Sequence, residues 1–166
     1  MRTDRLVLCV LLVLALTAPA QAQPSHGTAV RPPQLEEYPA GGTYVGKHHA
    51  PVLTKESRAY RTRLREGAKE KVNFAGHYVL TTWGCGSECI QAAAIDVRTG
   101  KVFLLPFTLC CWGDGNDPMD FRADSRLAAF LGQRNEKGPG TWYYRIDDKK
   151  GWVVVREVPR PPRGQG

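Results

Sequence analysis

Beyond its first 22 residues the chain has no long apolar run, and nothing there approaches the ~18 consecutive apolar residues that a membrane-spanning helix requires. No transmembrane segment is expected after that point. Cysteine is scarce, five residues in all, and its spacing matches no zinc signature, so no metal or other cofactor is read from it. Helical periodicity is confined to one stretch, which points to a chain built mostly of strands. A nucleic-acid recognition module is also missing, so nucleic acid is not among the expected partners.

What is present begins with a leader. Arg2 and Arg5, the apolar run Leu6–Leu16 and the ending Ala20-Gln21-Ala22 read as a cleavable secretory signal over residues 1–22. Cys9 lies too deep in the apolar run to serve as a lipidated cysteine. A periplasmic or secreted location is expected, with one domain's worth of chain from Gln23 onward. Without Arg2, Arg5 and Asp4, the 23 basic and 16 acidic residues become 21 and 15, a net charge of +6. The excess is local, because Lys55, Arg58, Arg61, Arg63, Arg65, Lys69 and Lys71 face only Glu56, Glu66 and Glu70.

Four cysteines remain after the leader: Cys85, Cys89, Cys110 and Cys111. An even number in an oxidising compartment favours disulfides over free thiols. Cys85 with Cys89 would close a short loop, whereas joining that loop to Cys110 and Cys111 would staple two distant parts of the chain. A vicinal Cys110–Cys111 bond is strained and disfavoured. The pairing stays open at this level.

Residues 23–52 hold five prolines and the pair Gly41-Gly42 with little periodic apolar content, and read as a linker or extended arm. Thr54 can cap a helix running to about Glu70, in which Tyr60, Leu64 and Ala68 form a narrow apolar stripe. From Phe74 the pattern changes to short β-branched and aromatic runs: His77–Trp83, Ile90–Val97, Lys101–Phe107, Leu127–Leu131, Thr141–Asp147 and Trp152–Val158. Their short links, Gly84-Cys85-Gly86-Ser87, Arg98-Thr99-Gly100 and Asp147–Gly151, imply antiparallel hairpins. The tail 159–166, with Pro161-Pro162, reads as disordered. The expected fold is therefore α+β over residues 53–158: a single antiparallel sheet of about five to six strands, with one N-terminal helix packed on its apolar face.

The segments Asn73-Phe74-Ala75-Gly76-His77-Tyr78 and Trp83-Gly84-Cys85-Gly86-Ser87-Glu88-Cys89 concentrate glycine, histidine, tryptophan and cysteine as no other part of the chain does. Here, over about residues 72–158, the chain resembles a group of uncharacterised secreted bacterial proteins with a Phe-Ala-Gly-His-Tyr…Trp-Gly-Cys-Gly…Cys signature. The resemblance implies export and supplies no activity. Phe121–Phe130 also looks like the turn and strand of a propeller blade, a local hairpin style with too few strands following for that whole fold.

Candidate chemistry divides into several readings. Cys85 with His77 as base, and Glu88 or Asp96 orienting the imidazole, would make a thiol enzyme or hydrolase, with Gly84 and Gly86 opening backbone N–H groups to an oxyanion. That reading needs Cys85 reduced. Zinc held by Cys85, Cys89, His77, His48 and His49 lacks the spacing. Calcium at Asp114, Asn116, Asp117 and Asp120 lacks the closing glutamate, so a plain acidic turn is the simpler reading. Trp83, Trp112, Trp142 and Trp152 either line a groove or fill a small core.

Arg61, Arg65 and Lys69 succeed one another at i, i+4 and i+8, and like charges at that spacing cost an isolated helix roughly a few tenths of a kcal/mol per pair. The offset would come from the acidic turn 114–124 or from outside, through an anionic envelope component or an acidic protein surface. A screened, solvated face is the plainer alternative. The leading expectation is a non-enzymatic binding protein, inhibitor- or immunity-like by analogy, that holds its partner through Trp83, Gly84 and Gly86 of the cysteine loop and through Arg61, Arg65 and Lys69.

Overall fold

The structure, a computed structural model, describes residues 31–113 and 117–160. The expected signal at 1–22, the start of the arm at 23–30, Asp114 and Asn116 of the acidic turn, and residues 161–166 of the tail lie outside that range.

Eight antiparallel strands form one sheet: β1 (Tyr78–Gly86), β2 (Cys89–Asp96), β3 (Val102–Leu104), β4 (Leu109–Cys110), β5 (Met119–Phe121), β6 (Leu127–Arg134), β7 (Lys137–Asp147) and β8 (Gly151–Pro159). The order is β1-β2-β4-β6-β7-β8, with β3 also paired to β2 and β5 to β6. The α+β class and the antiparallel sheet stand, while the expected five to six strands are corrected to eight. The additional strands, β4 and β5, have two and three residues, too few to show an alternating pattern. They matter to the topology, because β4 joins the β1–β2 hairpin to the β6–β7–β8 meander through Cys89↔Cys110 and Leu109↔Arg134. Pro159 pairs with Gly140, and the Arg160 N–H donates to the Pro139 carbonyl at 2.8 Å, so the sheet reaches into the expected tail.

The helix is shorter than its apolar stripe suggested. Thr54 and Ser57 close a reciprocal cap, with the Thr54 N–H donating to Ser57 Oγ at 2.8 Å and the Ser57 N–H to Thr54 Oγ1 at 3.2 Å. A 3-10 turn, Ser57–Tyr60, then passes into α1, Arg61–Gly67. This helical segment is not at the N-terminus of the fold, because the compact body starts at Pro32 and the arm precedes it. The arm is extended and pinned at several points: Arg126 N–H donates to Tyr38, Tyr44 to Gly76, His49 to Val97 and Val52 to Gly100. Its backbone groups thus find partners without a sheet of their own.

Apolar side chains occupy both faces of the β1–β2 hairpin, a correction to the one-sided sheet expected. One face joins Phe74, Tyr78, Leu80, Ala92 and Ala94 to Phe130, Trp142, Tyr144 and Ile146 across the curl of the sheet. The other packs Trp83, Ala93 and Ile95 against Leu64 and Ala68 of the helical segment. Three consecutive alanines, Ala92–Ala94, make this possible by presenting little bulk to either side, and all three are buried. Gly67 meets Thr81 so closely that a Cβ there would lie 2.8 Å from the threonine side chain. The glycine that weakens the helix's last turn by about 1 kcal/mol is therefore also what seats the helix on β1.

Candidate functional site

Three features of the β1–β2 region bear on function: its tip, the helix on its back, and the polar cluster at its base. At the tip, β1 and β2 are paired from Tyr78↔Asp96 to Gly84↔Ile90, with a bulge before Gly86↔Cys89. Cys85 and Cys89 form a disulfide across this turn, and Gly84, Cys85, Gly86, Ser87 and Glu88 are all exposed. Cys110 and Cys111 are free thiols, the first buried and the second exposed. The expected preference for disulfides over free thiols is met at Cys85 and Cys89 and corrected at Cys110 and Cys111: Cys89 is directly opposite Cys110 in the sheet, but its sulfur is already committed to Cys85.

Trp83 does not share the exposure of its loop. It is only 8% exposed, its ring lies 4.8 Å from that of Tyr60, and its indole N–H has no hydrogen-bond partner. The side chain fills the helix–sheet interface, so the tip exposes Gly84–Glu88 and not the Trp83 ring expected to take part in binding. Trp142 and Trp152, by contrast, use their indole N–H groups internally, donating to Gly132 and Phe103 carbonyls at 3.1 Å each.

Leu64 and Gly67 of α1 and its C-cap Ala68 are buried, while Arg61 and Arg65 are exposed on the helix; Lys69, expected one turn further along the same ridge, is exposed in the turn that follows, because the helix ends at Gly67. No carboxylate pairs with any of the three among the described residues; the one ion pair on this helix is between Arg63 and Glu66, at 3.6 Å. The Tyr60–Trp83 contact places the start of α1 toward the tip end of β1. At the other end, the His48 Nδ1–H donates to the Ala68 carbonyl at 2.9 Å and caps the helix. A hollow of about 350 Å³ opens there, lined in part by Tyr44, His48, Lys69, Glu70 and Lys71.

The base of β1 carries the cluster that holds His77. Ala75 and Gly76 both have positive φ, +48° and +77°, so the Phe-Ala-Gly-His-Tyr motif is a tight turn bridged by Phe74↔Tyr78. Only glycine adopts the second of these without strain. The turn delivers His77, 8% exposed, to Arg98 and Asp148. Arg98 donates to His77 Nε2 at 2.6 Å, which fixes that nitrogen as an acceptor and puts the ring proton on Nδ1. Asp148 Oδ1 is 3.4 Å from the same nitrogen and accepts from the Tyr78 hydroxyl at 3.0 Å and from Arg126 at 2.6 Å. Asp96 accepts from Arg98 N–H and Nε–H at 2.9 and 3.3 Å.

The protonation states follow from these contacts. Burial and then the Arg98 charge push His77 below its ordinary value, outweighing Asp96 and Asp148. The His77–Asp148 contact is therefore one of a neutral ring. Burial acts to raise the Asp148 carboxyl, but hydrogen bonds from Arg126 and Tyr78 bring it below the usual carboxylate range. Burial and the same carboxylate raise the Tyr78 phenol far above its usual range.

Of the residues singled out from sequence, the structure groups Arg61, Arg65 and Lys69 on one face and Gly84, Cys85, Gly86 and Cys89 at one tip. It does not bring His77 to Cys85. They stand at opposite ends of β1, eight residues or about 26 Å of strand apart, and Cys85 is bonded to Cys89. Asp96 does approach His77, but through Arg98, and Glu88 belongs to the tip. Among the described residues no group of three His, Cys, Asp or Glu side chains converges to hold a metal, and no helix is long and apolar enough to cross a membrane. The sequence does not single out Arg98, Arg126 and Asp148 as partners of His77: Arg98 and Asp148 stand there as turn residues, and residues so far apart meet only once the sheet curls. Compared with known proteins, the chain matches no family model, no curated protein and no solved structure.

Proposed function

We propose that this chain is a non-enzymatic binding protein of the bacterial envelope or exterior, in which the face of α1 and the neighbouring cysteine-closed tip hold an acidic protein partner. The observation that carries the reading is the ridge of Arg61 and Arg65 on α1, continued by Lys69 in the turn that ends it: three exposed like charges on a segment anchored by Leu64, Gly67 and Ala68, with no carboxylate paired to them among the described residues. Such a ridge costs helix stability and raises the rate of encounter with an anionic surface. The hollow at the helix end is lined by Lys69 and Lys71 with Glu70 between them. A short, rigid hairpin tip beside a charged face suits an inhibitor- or immunity-type contact, by analogy of scaffold alone.

The test is capture from envelope extract on immobilised protein, with elution by salt. Wild-type protein retains an acidic partner that elutes as ionic strength rises; Arg61→Glu/Arg65→Glu loses it, while Lys137→Glu, on an exposed turn of β7, retains it. Equal capture by the double variant and the wild type overturns the reading. The double variant changes only exposed side chains, so its unfolding free energy stays within about 0.5 kcal/mol of wild type.

A further inference from the structure

The four cysteines of the described chain lie in the tip hairpin, in β4 and, for Cys111, just after β4, and their arrangement supports a reaction. Cys89 and Cys110 are directly opposed in the β2–β4 pair, so their side chains project from the same face. Opposed residues in an antiparallel pair have Cα atoms about 4.5–5.5 Å apart, inside the roughly 4.4–6.8 Å window of a disulfide. The face is set by neighbours: Ile90 and Leu109, the next opposed pair, join the main core, which turns Cys89 and Cys110 to the other side. Cys89 therefore has two sulfurs within geometric reach, that of Cys85, to which it is bonded at a Cα separation of 5.1 Å, and that of Cys110. Opposed Cβ atoms are about 4.5–5.5 Å apart against roughly 3.5–4.5 Å in a disulfide, so closing the second bond asks for about 1 Å of approach. A two-residue strand offers little ladder to resist it.

We propose that Cys85, Cys89 and Cys110 form a thiol–disulfide exchange site whose substrate class is a disulfide-bearing peptide or protein, with Cys89 as the sulfur shared by two alternative bonds. In the exchange, the Cys110 thiolate attacks Cys89 Sγ; the Cys89–Cys110 bond forms, the Cys85–Cys89 bond breaks, and Cys85 leaves as the thiolate. The proton released by Cys110 balances the charge, and there is no net oxidation. Cys85, on the exposed tip, then attacks a substrate disulfide, forming a mixed disulfide and expelling the substrate's other sulfur as a thiolate. Burial and the hydrogen bond with Cys111, together with the Glu136 and Glu88 carboxylates, push the Cys110 thiol up to about 11. The form in the structure is the Cys85–Cys89 disulfide; the low thiolate fraction of Cys110 makes the exchange slow, and a substrate that captures Cys85 draws it forward. The inference is independent of the partner-binding reading, since it can be read without any partner.

Oxidised glutathione is the probe. Cys85 and Cys89 share one tryptic peptide, 72–98, while Cys110 and Cys111 share another, 102–122; Glu88 separates the first two cysteines for a second cleavage. In a Cys111→Ser background, which removes the exposed free thiol, incubation with oxidised glutathione followed by acid quench and mapping should join 72–98 to 102–122 through Cys89. Glutathione should appear on Cys85. Adding Cys110→Ser should abolish both products. A Cys85→Ser chain, altered only at the exposed tip, should form the Cys89–Cys110 bond directly under the same probe, with circular dichroism confirming the fold. The proposal is overturned if folded Cys85→Ser protein carries glutathione on Cys89 without cross-linking to Cys110. It is equally overturned if Cys85 takes up glutathione to the same extent with and without Cys110.

Discussion

The two ends of β1 are held by different chemistry. At its base, His77 and Tyr78 enter a network in which Asp148 alone accepts from Tyr78, Arg126 and Arg98, and Lys101 donates to the Asp148 and Lys149 carbonyls at 3.3 and 3.2 Å. That network ties the β2–β3 turn to the β7–β8 turn across the curl of the sheet, linking residues fifty positions apart such as Arg98 and Asp148. At its tip, the hairpin is closed by a covalent bond between residues four apart in sequence, and residues 84–88 are exposed. The base joins distant parts of the fold; the tip constrains only itself. A region closed locally can change its bonding partners without unfolding the sheet, and the tip is where partner contact and sulfur exchange are proposed.

The largest expected effect breaks the base. Asp148→Ala leaves the Tyr78 hydroxyl without its acceptor and removes the anion between Arg98 and Arg126. Hydrogen bonds to charged groups contribute roughly 1.5–3 kcal/mol each, and because Asp148 is 44% exposed on its side chain water recovers part of that. A loss of about 2–3 kcal/mol in urea unfolding is expected, with Asp148→Asn losing less because an acceptor oxygen remains. A loss below about 0.5 kcal/mol would mean that the sheet curls without help from the network.

A smaller effect is expected at the tip. Replacing both Cys85 and Cys89 by serine removes a constraint on a loop of about five residues, for which the chain-entropy relation gives at most about 2 kcal/mol. Hydrogen exchange should rise at residues 84–89 and stay unchanged at residues 78–82, because the ladder from Tyr78 to Gly84 pairs with β2 independently of the sulfurs. Loss of protection along the whole of β1 would show that the disulfide organises the hairpin, and the contrast between the two ends would fail.

How far the sequence discloses these two ends differs for physical reasons. The hairpin and its tip are local: alternating residues, the glycines around Cys85, and cysteines four apart are all visible in one short segment. The helix stripe Tyr60, Leu64 and Ala68 is local too, and it indicates which ridge faces solvent. The base is non-local. His77 stands out in the sequence, but its partners Arg98, Arg126 and Asp148 come from three other turns and strands, and only the curl through the two-residue β4 assembles them. Trp83 shows the same limit from the other side: its neighbours Gly84 and Cys85 suggest an exposed loop, whereas alternation along β1 turns its ring under Tyr60.

The smallest effect separates the base from the tip by pH. His77 is held below its ordinary value of 6.5 by burial and by Arg98, so the unfolded chain binds a proton at pH values where the folded chain does not. The stability slope with pH is positive wherever the unfolded state carries more protons. Stability is therefore complete above about pH 6.5 and declines as pH falls from there toward the depressed folded value, below which the contribution of this group is flat. Asp148 adds its own loss only at more acid pH, since its carboxyl is held below 3.8. Between pH 8 and 5 the two do not overlap. His77→Gln keeps an acceptor for Arg98 and removes the titration, so unfolding midpoints measured across that interval should decline less steeply than in the wild type. Cys85→Ser/Cys89→Ser, which leaves the base intact, should lower the whole curve and retain its slope. If the tip variant instead flattens the slope, the two ends are coupled along β1, and the separation argued from their bonding does not hold.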